Sequence, residues 1–150
     1  MSTLTVAMIL KNEEQFIERV IQNVQPIADE IVITDTGSTD RTIDIIKKFK
    51  LRLFHYMWEG DAAKARNFTL SKCKTDWILF IDADEFIDIN NYEEVRKLIS
   101  SENKYIAYRI FLKHYFDSRI NLDNLYRIDW AGSYILLNIV RIFKNKEDLF

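Results

Sequence analysis

Short apolar runs alternate with segments of helical spacing along the first hundred residues. Four runs are apolar enough to be strands buried in a sheet: Val6 to Leu10, Ile31 to Ile33, Leu51 to Phe54 and Trp77 to Ile81. Between them, apolar residues recur three or four positions apart, which is the period of an amphipathic helix. This order of strands and helices predicts an α/β fold with a mostly parallel sheet.

The run from Trp77 to Ile81 is apolar at every position, so it is expected as a central strand with both faces covered by helices. A helix is predicted from the Asn90 region to about Ser100. Beyond it, Tyr105 to Leu112 and Tyr134 to Phe143 are rich in aromatic and β-branched residues and predict additional, partly antiparallel strands. With no internal repeat or linker composition, we expect no domain boundary within the chain.

Composition narrows the possible classes of protein. Apolar residues make up 48% and charged residues 29% of the 150 positions, which excludes a disordered chain. The 21 basic and 23 acidic residues are mixed and give a net charge of −2, so no basic field is available for nucleic acid. The single cysteine, Cys73, and an apolar start that stops at Lys11 predict a cytoplasmic protein without a disulfide or a transmembrane segment.

The strongest chemical feature follows the central strand directly. Asp82 and Asp84 are two residues apart, so in an extended chain their side chains point the same way at the carboxyl end of the strand. The segment from Asp82 to Glu94 holds six acids and no base, and such a field favours a hard divalent cation that bridges carboxylates to phosphates. A solvated acidic turn is the competing interpretation.

Polar residues also follow the first two strands. Asn12 is a plausible N-cap of the first helix, with Gln15 at its third position, or alternatively lies at a ligand-binding edge. After the second strand, Gly37 permits a tight turn and Asp40 can cap the next helix. Asp35 ends an apolar strand, where a carboxylate needs a partner to offset its desolvation.

Other candidates are weaker when taken one at a time. Arg66 could present its guanidinium to a diphosphate, or it could be a solvated arginine on a helix face. His55 and His114 are expected to be structural rather than a metal pair, and Cys73 is expected to pack in the core.

Together, four ordered motifs resemble those of family-two glycosyltransferases with the GT-A fold. They are Val6 to Glu13, Glu30 to Thr42, Ala63 to Asn67 and Asp76 to Glu85. The resemblance extends from about Thr3 to Lys144. It implies a GT-A, Rossmann-like three-layer αβα sandwich with a mostly parallel sheet and antiparallel additions, over residues 1–150, and leaves open a truncation on the acceptor side.

The resemblance also implies which residues bind a nucleotide sugar. They are Lys11, Asn12, Glu13, Asp35, Gly37, Arg66 and Asp82. Among them, Asp35 looks like an acid that contacts the base or ribose, Arg66 like a contact of the diphosphate or base, and Asp82 like a contact of the ribose or sugar. Thr36 stands where many members have a second acid.

A divalent cation and a general base complete the implied site. Asp84, with Asp82, looks like the ligand of Mg²⁺ or Mn²⁺ on the diphosphate. The general base of inverting members lies after the Asp-x-Asp motif, where Asp129 is the first candidate, with Asp117 and Asp123 as others.

We therefore expect an inverting, metal-assisted glycosyltransferase that moves a sugar from a nucleoside-diphosphate sugar, UDP-linked in the first instance. The acceptor is an unidentified saccharide, lipid or protein. Two alternatives are a nucleotidyltransferase, which usually has a glycine-rich phosphate loop near its first strand, and a non-catalytic sugar-nucleotide-binding module.

Overall fold

The computed structural model describes residues 1–101, 105–115 and 134–145, and its elements follow the predicted alternation. The strands are β1 (Leu4–Leu10), β2 (Glu30–Asp35), β3 (Arg52–His55), β4 (Trp77–Phe80), β5 (Ala107–Tyr115) and β6 (Tyr134–Lys144). The helices are α1 (Ile17–Val24), α2 (Thr42–Ile46), α3 (Ala62–Leu70) and α4 (Tyr92–Ser100), with a 3₁₀ turn at Ile89–Asn91.

The six strands form one sheet in the order β3-β2-β1-β4-β6-β5. Strands β1 to β4 are parallel, β6 is antiparallel to β4, and β5 is antiparallel to β6. The predicted central strand and the predicted antiparallel additions are confirmed. Because the strand order reverses between β1 and β4, the loops at their carboxyl ends diverge there and leave a crevice, which is where open α/β sheets bind ligands.

Helices cover both faces of the sheet. One cluster of buried residues joins alternate positions of β1, such as Val6 and Met8, to residues of α1, α2 and α4. The opposite face of β1, represented by Ala7, packs with Leu70 of α3 and with Cys73. The αβα sandwich is therefore built from the period-two alternation of the strands. Cys73 is buried, as expected, and burial raises the pKa of its thiol to about 12.

A buried asparagine of α1 holds the segment that follows β4. The Asn23 side chain donates to the carbonyl of Ile87 at 2.9 Å and accepts from the amide of Ile87 at 2.8 Å. This pair of bonds satisfies both backbone groups of one loop residue. It fixes the far end of the loop whose beginning carries Asp82 and Asp84.

Helix α2 is shorter than the sequence pattern predicts. The pattern predicts helical structure to Phe49, but α2 ends at Ile46 and its last turn tightens into 3₁₀-type bonds, from Lys48 to Ile45 and from Phe49 to Ile46. Phe49 nevertheless packs against the core cluster. Among the described residues, no helix is long and apolar enough to cross a membrane.

The packing predicts which substitution in β4 destabilises the fold. Leu79 is 1% exposed in the central strand. Leu79→Ala should lower the free energy of unfolding by about 2–5 kcal/mol, because it removes buried methyl groups and leaves a cavity. Urea denaturation measures this, with Ile89→Ala, at a residue 49% exposed, as the control. Equal stabilities of the two variants would contradict the assigned core.

Candidate functional site

The loops that follow β1 and β2 are bonded to each other at the carboxyl edge of the sheet. The amide of Asn12 donates to Ser38 Oγ at 2.9 Å, and Asn12 Oδ1 accepts from the amide of Thr39 at 2.7 Å. Asn12 has a φ of +58°, in the left-handed region that asparagine tolerates better than most residues. The predicted N-cap role of Asn12 is wrong, because this turn directs its side chain to the neighbouring loop and α1 begins only at Ile17.

The two residues after Asn12 also form hydrogen bonds to the segment that follows β2. The amide of Glu13 donates to Thr42 Oγ1 at 2.8 Å, and the amide of Glu14 donates to Asp40 Oδ2 at 3.2 Å. Asp40 Oδ1 also accepts from the amide of Thr42 at 3.0 Å, although the N-cap of α2 is Arg41, one residue after the predicted cap. Loop amides that β1 leaves unpaired are thus satisfied by side chains of the loop after β2.

Asp35 finds the partners that its burial requires. The side chain is 5% exposed and accepts from the amides of Gly37, at 3.1 Å, and of Ser38, at 3.1 Å. Gly37 has a φ of +110°, as the predicted tight turn needs. His55 Nδ1 lies 3.4 Å from Asp35 Oδ2, and its side chain is 66% exposed. His55, which we expected to be structural, therefore lies at this edge and is accessible to a ligand.

The acidic segment after β4 is a turn. The amide of Glu85 donates to the carbonyl of Asp82 at 3.0 Å, and Glu85 Oε2 accepts from the amide of Asp82 at 2.9 Å. The expectation of an extended chain through Asp82 and Asp84 is therefore wrong, although the charges of both side chains act on Glu13 at the end of β1. The reason is that the Glu85 side chain folds back on the turn and satisfies an amide that would otherwise continue the strand.

Two arginines from distant parts of the chain meet this turn. Arg66 Nη2 lies 3.8 Å from Asp82 Oδ1, and Arg141 Nη2 lies 3.2 Å from Asp82 Oδ2 and 2.6 Å from Glu85 Oε1. Asp84 is exposed and has no hydrogen bond or ion pair within the described part of the chain. The structure thus brings Arg66 to Asp82 and leaves Asp84 open to solvent.

The carboxylates of this edge act on one another. Burial raises the pKa of Glu13 above its ordinary value, and the negative charges of Asp84, Asp40 and Asp82 raise it further. Burial also raises the pKa of Glu85, although the Asp82 amide and Arg141 oppose this. The predicted site residues Glu13, Asp82 and Asp84 therefore share one region of negative potential between the ends of β1 and β4.

This donor set suits a hard divalent cation shared with a ligand. Among residues 1–101, 105–115 and 134–145, no group of three or more His, Cys, Asp or Glu side chains is placed to hold a metal by itself. Mg²⁺ is typically held by one or two carboxylates together with phosphate oxygens and waters. Asp82 and Asp84 can supply these carboxylates. Their negative charges also act on Glu13, so the region favours a cation.

The remaining predicted residues lie apart or outside the described ranges. Lys11 is exposed next to Asn12. Asp129, Asp117 and Asp123 lie outside the described residues. Sequence reasoning gave a structural role to His55 and no role to Arg141. For Arg141, a signal was present, since this arginine interrupts the apolar run from Ile139 to Phe143.

Comparison with known proteins assigns the family. Residues 5–145 match the family model of glycosyl transferase family 2. The chain belongs to this family. It is 36% identical over 120 residues to an uncharacterized glycosyltransferase of Rickettsia bellii, a match that covers 77% of this chain and 40% of the relative. It is 34% identical over 98 residues to the glycosyltransferase SunS of Bacillus phage SPbeta, covering 64% of this chain and 23% of SunS. The chain thus spans less than half the length of these family members.

Solved structures of glycosyltransferases share the fold. The crystal structure of glucosyl-3-phosphoglycerate synthase from Mycobacterium tuberculosis superposes with a TM-score of 0.56 at 25% identity, over 67% of this chain and 42% of that one. The same enzyme in complex with Mn²⁺ and UDP-glucose gives a TM-score of 0.56 at 25% identity, over 67% of this chain and 40% of that one. The predicted GT-A fold is confirmed.

The bonded loops predict how substitutions at Asn12 affect stability. Both Asn12→Gly and Asn12→Ala remove the acceptor for the Thr39 amide, but alanine keeps a Cβ at a left-handed φ, whereas glycine has none and adopts that φ without strain. The alanine variant should unfold about 1 kcal/mol more easily than the glycine variant. Urea denaturation measures both, with Lys11→Ala as the control for an exposed neighbour. Alanine and glycine variants of equal stability would show that residue 12 is not held in this conformation.

The raised pKa of Glu13 predicts a pH dependence. Because the folded state disfavours the charged carboxylate, the contribution of Glu13 to the free energy of unfolding should fall as the pH rises from the ordinary value of 4.5 through the higher pKa of the folded state. Glu13→Gln removes this contribution, so the variant should gain stability over the wild type with rising pH and then keep a constant difference. Denaturation in EDTA across this range measures the effect, and Glu18→Gln, at an exposed acid of α1, is the control. A difference that does not vary with pH would contradict the shared field.

Proposed function

We propose that this chain is the donor-binding domain of an enzyme that transfers a sugar from a nucleoside-diphosphate sugar, UDP-linked in the first instance, to an acceptor. The observation that carries the proposal is the meeting of Arg66, Asp82, Asp84 and Glu13 at the carboxyl edge of the sheet, in the crevice between β1 and β4. Basic and acidic groups together at a switch point suit a diphosphate with its cation. Residues 1–150 are proposed as one GT-A domain.

The first two loops are proposed as the nucleoside side of the site. Asp35 is buried and preoriented by the Gly37 and Ser38 amides, and His55 lies beside it. A fixed carboxylate next to an exposed imidazole suits hydrogen bonding to a base or ribose. Asn12 acts by holding the two loops together, and Lys11 stands at the exposed margin.

The acidic turn is proposed as the diphosphate side. Arg66 is 47% exposed on its side chain, so its guanidinium retains N–H groups for phosphate oxygens while it faces Asp82. Asp84 and Asp82 would hold Mg²⁺ or Mn²⁺. When bound, the cation would supply positive charge that stabilises the departing diphosphate. Support for this comes from the M. tuberculosis enzyme, crystallised with Mn²⁺ and UDP-glucose.

The proposed reaction inverts the configuration of the sugar. An acceptor hydroxyl attacks the anomeric carbon, the bond from that carbon to the diphosphate oxygen breaks, and a base removes the hydroxyl proton. Asp129 is the first candidate for the base. The acceptor is proposed to be a saccharide, a lipid or a protein.

Ligand-dependent stabilisation tests nucleotide binding directly. A ligand at about 100 times its Kd adds roughly 2.7 kcal/mol to the free energy of unfolding, which shifts the melting temperature by several degrees. We expect UDP with Mn²⁺ to give the largest shift in a panel with GDP, dTDP and CDP. An unchanged melting temperature with all four nucleotides would contradict the proposed function.

The role of Asp84 is tested by a substitution that keeps its shape. Asp84→Asn removes the anionic ligand and lowers like-charge repulsion, so the fold should be as stable as the wild type or more stable. Affinity for UDP should lose its dependence on Mn²⁺. Titration calorimetry with and without Mn²⁺ measures this affinity. Glu94→Gln is the control, because it changes the charge by the same amount at an exposed acid of α4. Undiminished metal dependence in Asp84→Asn would reassign Asp84 to a solvated turn.

A further inference from the structure

Arg141 of β6 joins two carboxylates of the acidic turn through one nitrogen. Its Nη2 donates to Glu85 Oε1 at 2.6 Å and to Asp82 Oδ2 at 3.2 Å, and the side chain is 13% exposed. A guanidinium is planar and presents its N–H groups in a fixed geometry, so it can orient two carboxylates relative to each other. A lysine ammonium lacks that planar geometry.

Local packing alone does not favour an arginine at this position. Its Nε is buried and has no hydrogen-bond partner in the described part of the chain. A buried donor without an acceptor is unfavourable, so the interaction with the two carboxylates is what stabilises the side chain here.

The strand pairing makes Arg141 a fixed point beside the turn. Ile142, the next residue, pairs with Leu79 of β4, and β4 leads directly into Asp82. The donor and its acceptors therefore belong to adjacent strands of one sheet. Within the described ranges, Asp82 and Glu85 are engaged by Arg141, whereas Asp84 has no cationic partner.

We propose that Arg141 is a positioning residue of the donor site: it fixes Asp82 and Glu85 in the acidic turn and thereby leaves Asp84 as the carboxylate of the turn that is open to the cation and its diphosphate. The part of this inference that concerns the donor rests on the proposed function. The anchoring of the turn does not, because it concerns the protein without ligand.

Hydrogen exchange of the ligand-free chain tests the anchoring. Arg141→Met should raise the exchange rates of the Asp82 and Glu85 amides about tenfold or more relative to the Leu79 amide of β4, because a charged hydrogen bond is lost. Arg141→Lys, which keeps the charge, should raise them less. Arg109→Met removes the same charge from an exposed position of β5 and should leave them unchanged. Unaltered exchange of the turn in both Arg141 variants would overturn the inference.

Titration with UDP, with and without Mn²⁺, tests the consequence for the donor. Arg141→Met should raise the Kd measured with Mn²⁺ about tenfold or more and leave the metal-free Kd unchanged. The double variant Arg141→Met with Glu85→Gln removes one charge of each sign, so it should recover thermal stability if the single variant unfolds easily. Its Mn²⁺-dependent affinity should stay weak. Wild-type affinity in the double variant would show that Arg141 only offsets the charge of Glu85 and would overturn the positioning role.

The two arms separate this inference from the function on which it depends. If the wild-type chain binds no UDP under any condition while the turn loses protection in Arg141→Met, the proposed function fails and the anchoring of Asp82 stands. If UDP binds with Mn²⁺ equally well in the wild type and in Arg141→Met, the proposed function stands and the positioning role fails.

Discussion

Mutual repulsion among carboxylates at the carboxyl edge of the sheet is the constraint on which the rest of this site depends. Burial raises the pKa of Glu13, and the nearby negative charges of Asp84, Asp40 and Asp82 raise it further. Parallel strands place the ends of β1, β2 and β4 at the same edge, so the topology itself brings these charges together. Hydrogen bonds from backbone amides and ion pairs with arginines offset part of this repulsion.

The chain offsets the repulsion by different means on the two sides of the crevice. Asp35 and Asp40 accept from backbone amides, which also fixes the loops that carry them. Asp82 instead faces arginines from α3 and β6. Only Asp84, of the acids in the described turn, lacks a cationic partner, which is why a cation brought in with a diphosphate suits this position.

Strands were predictable from sequence because the apolar runs are local, whereas contacts across loops were not. The apolar run around Ile78 predicted a buried central strand, and the aromatic and β-branched residues of β6 predicted a further strand. Asn12 was misread because an N-cap and a bridge to Thr39 use the same side-chain oxygen. Arg141 received no role because it meets Glu85 across 56 residues of sequence, a separation that no motif spacing expresses.

A crystal structure of the chain soaked with UDP and Mn²⁺ tests the donor site most directly. The diphosphate is predicted to lie between Arg66 and the acidic turn, with Mn²⁺ bound to the carboxylate of Asp84. The uracil is predicted to lie near Asp35 and His55. Nucleotide bound away from the carboxyl ends of β1, β2 and β4, or Mn²⁺ bound without any contact to Asp84 or Asp82, would contradict the assignment of this edge as the sugar-nucleotide site.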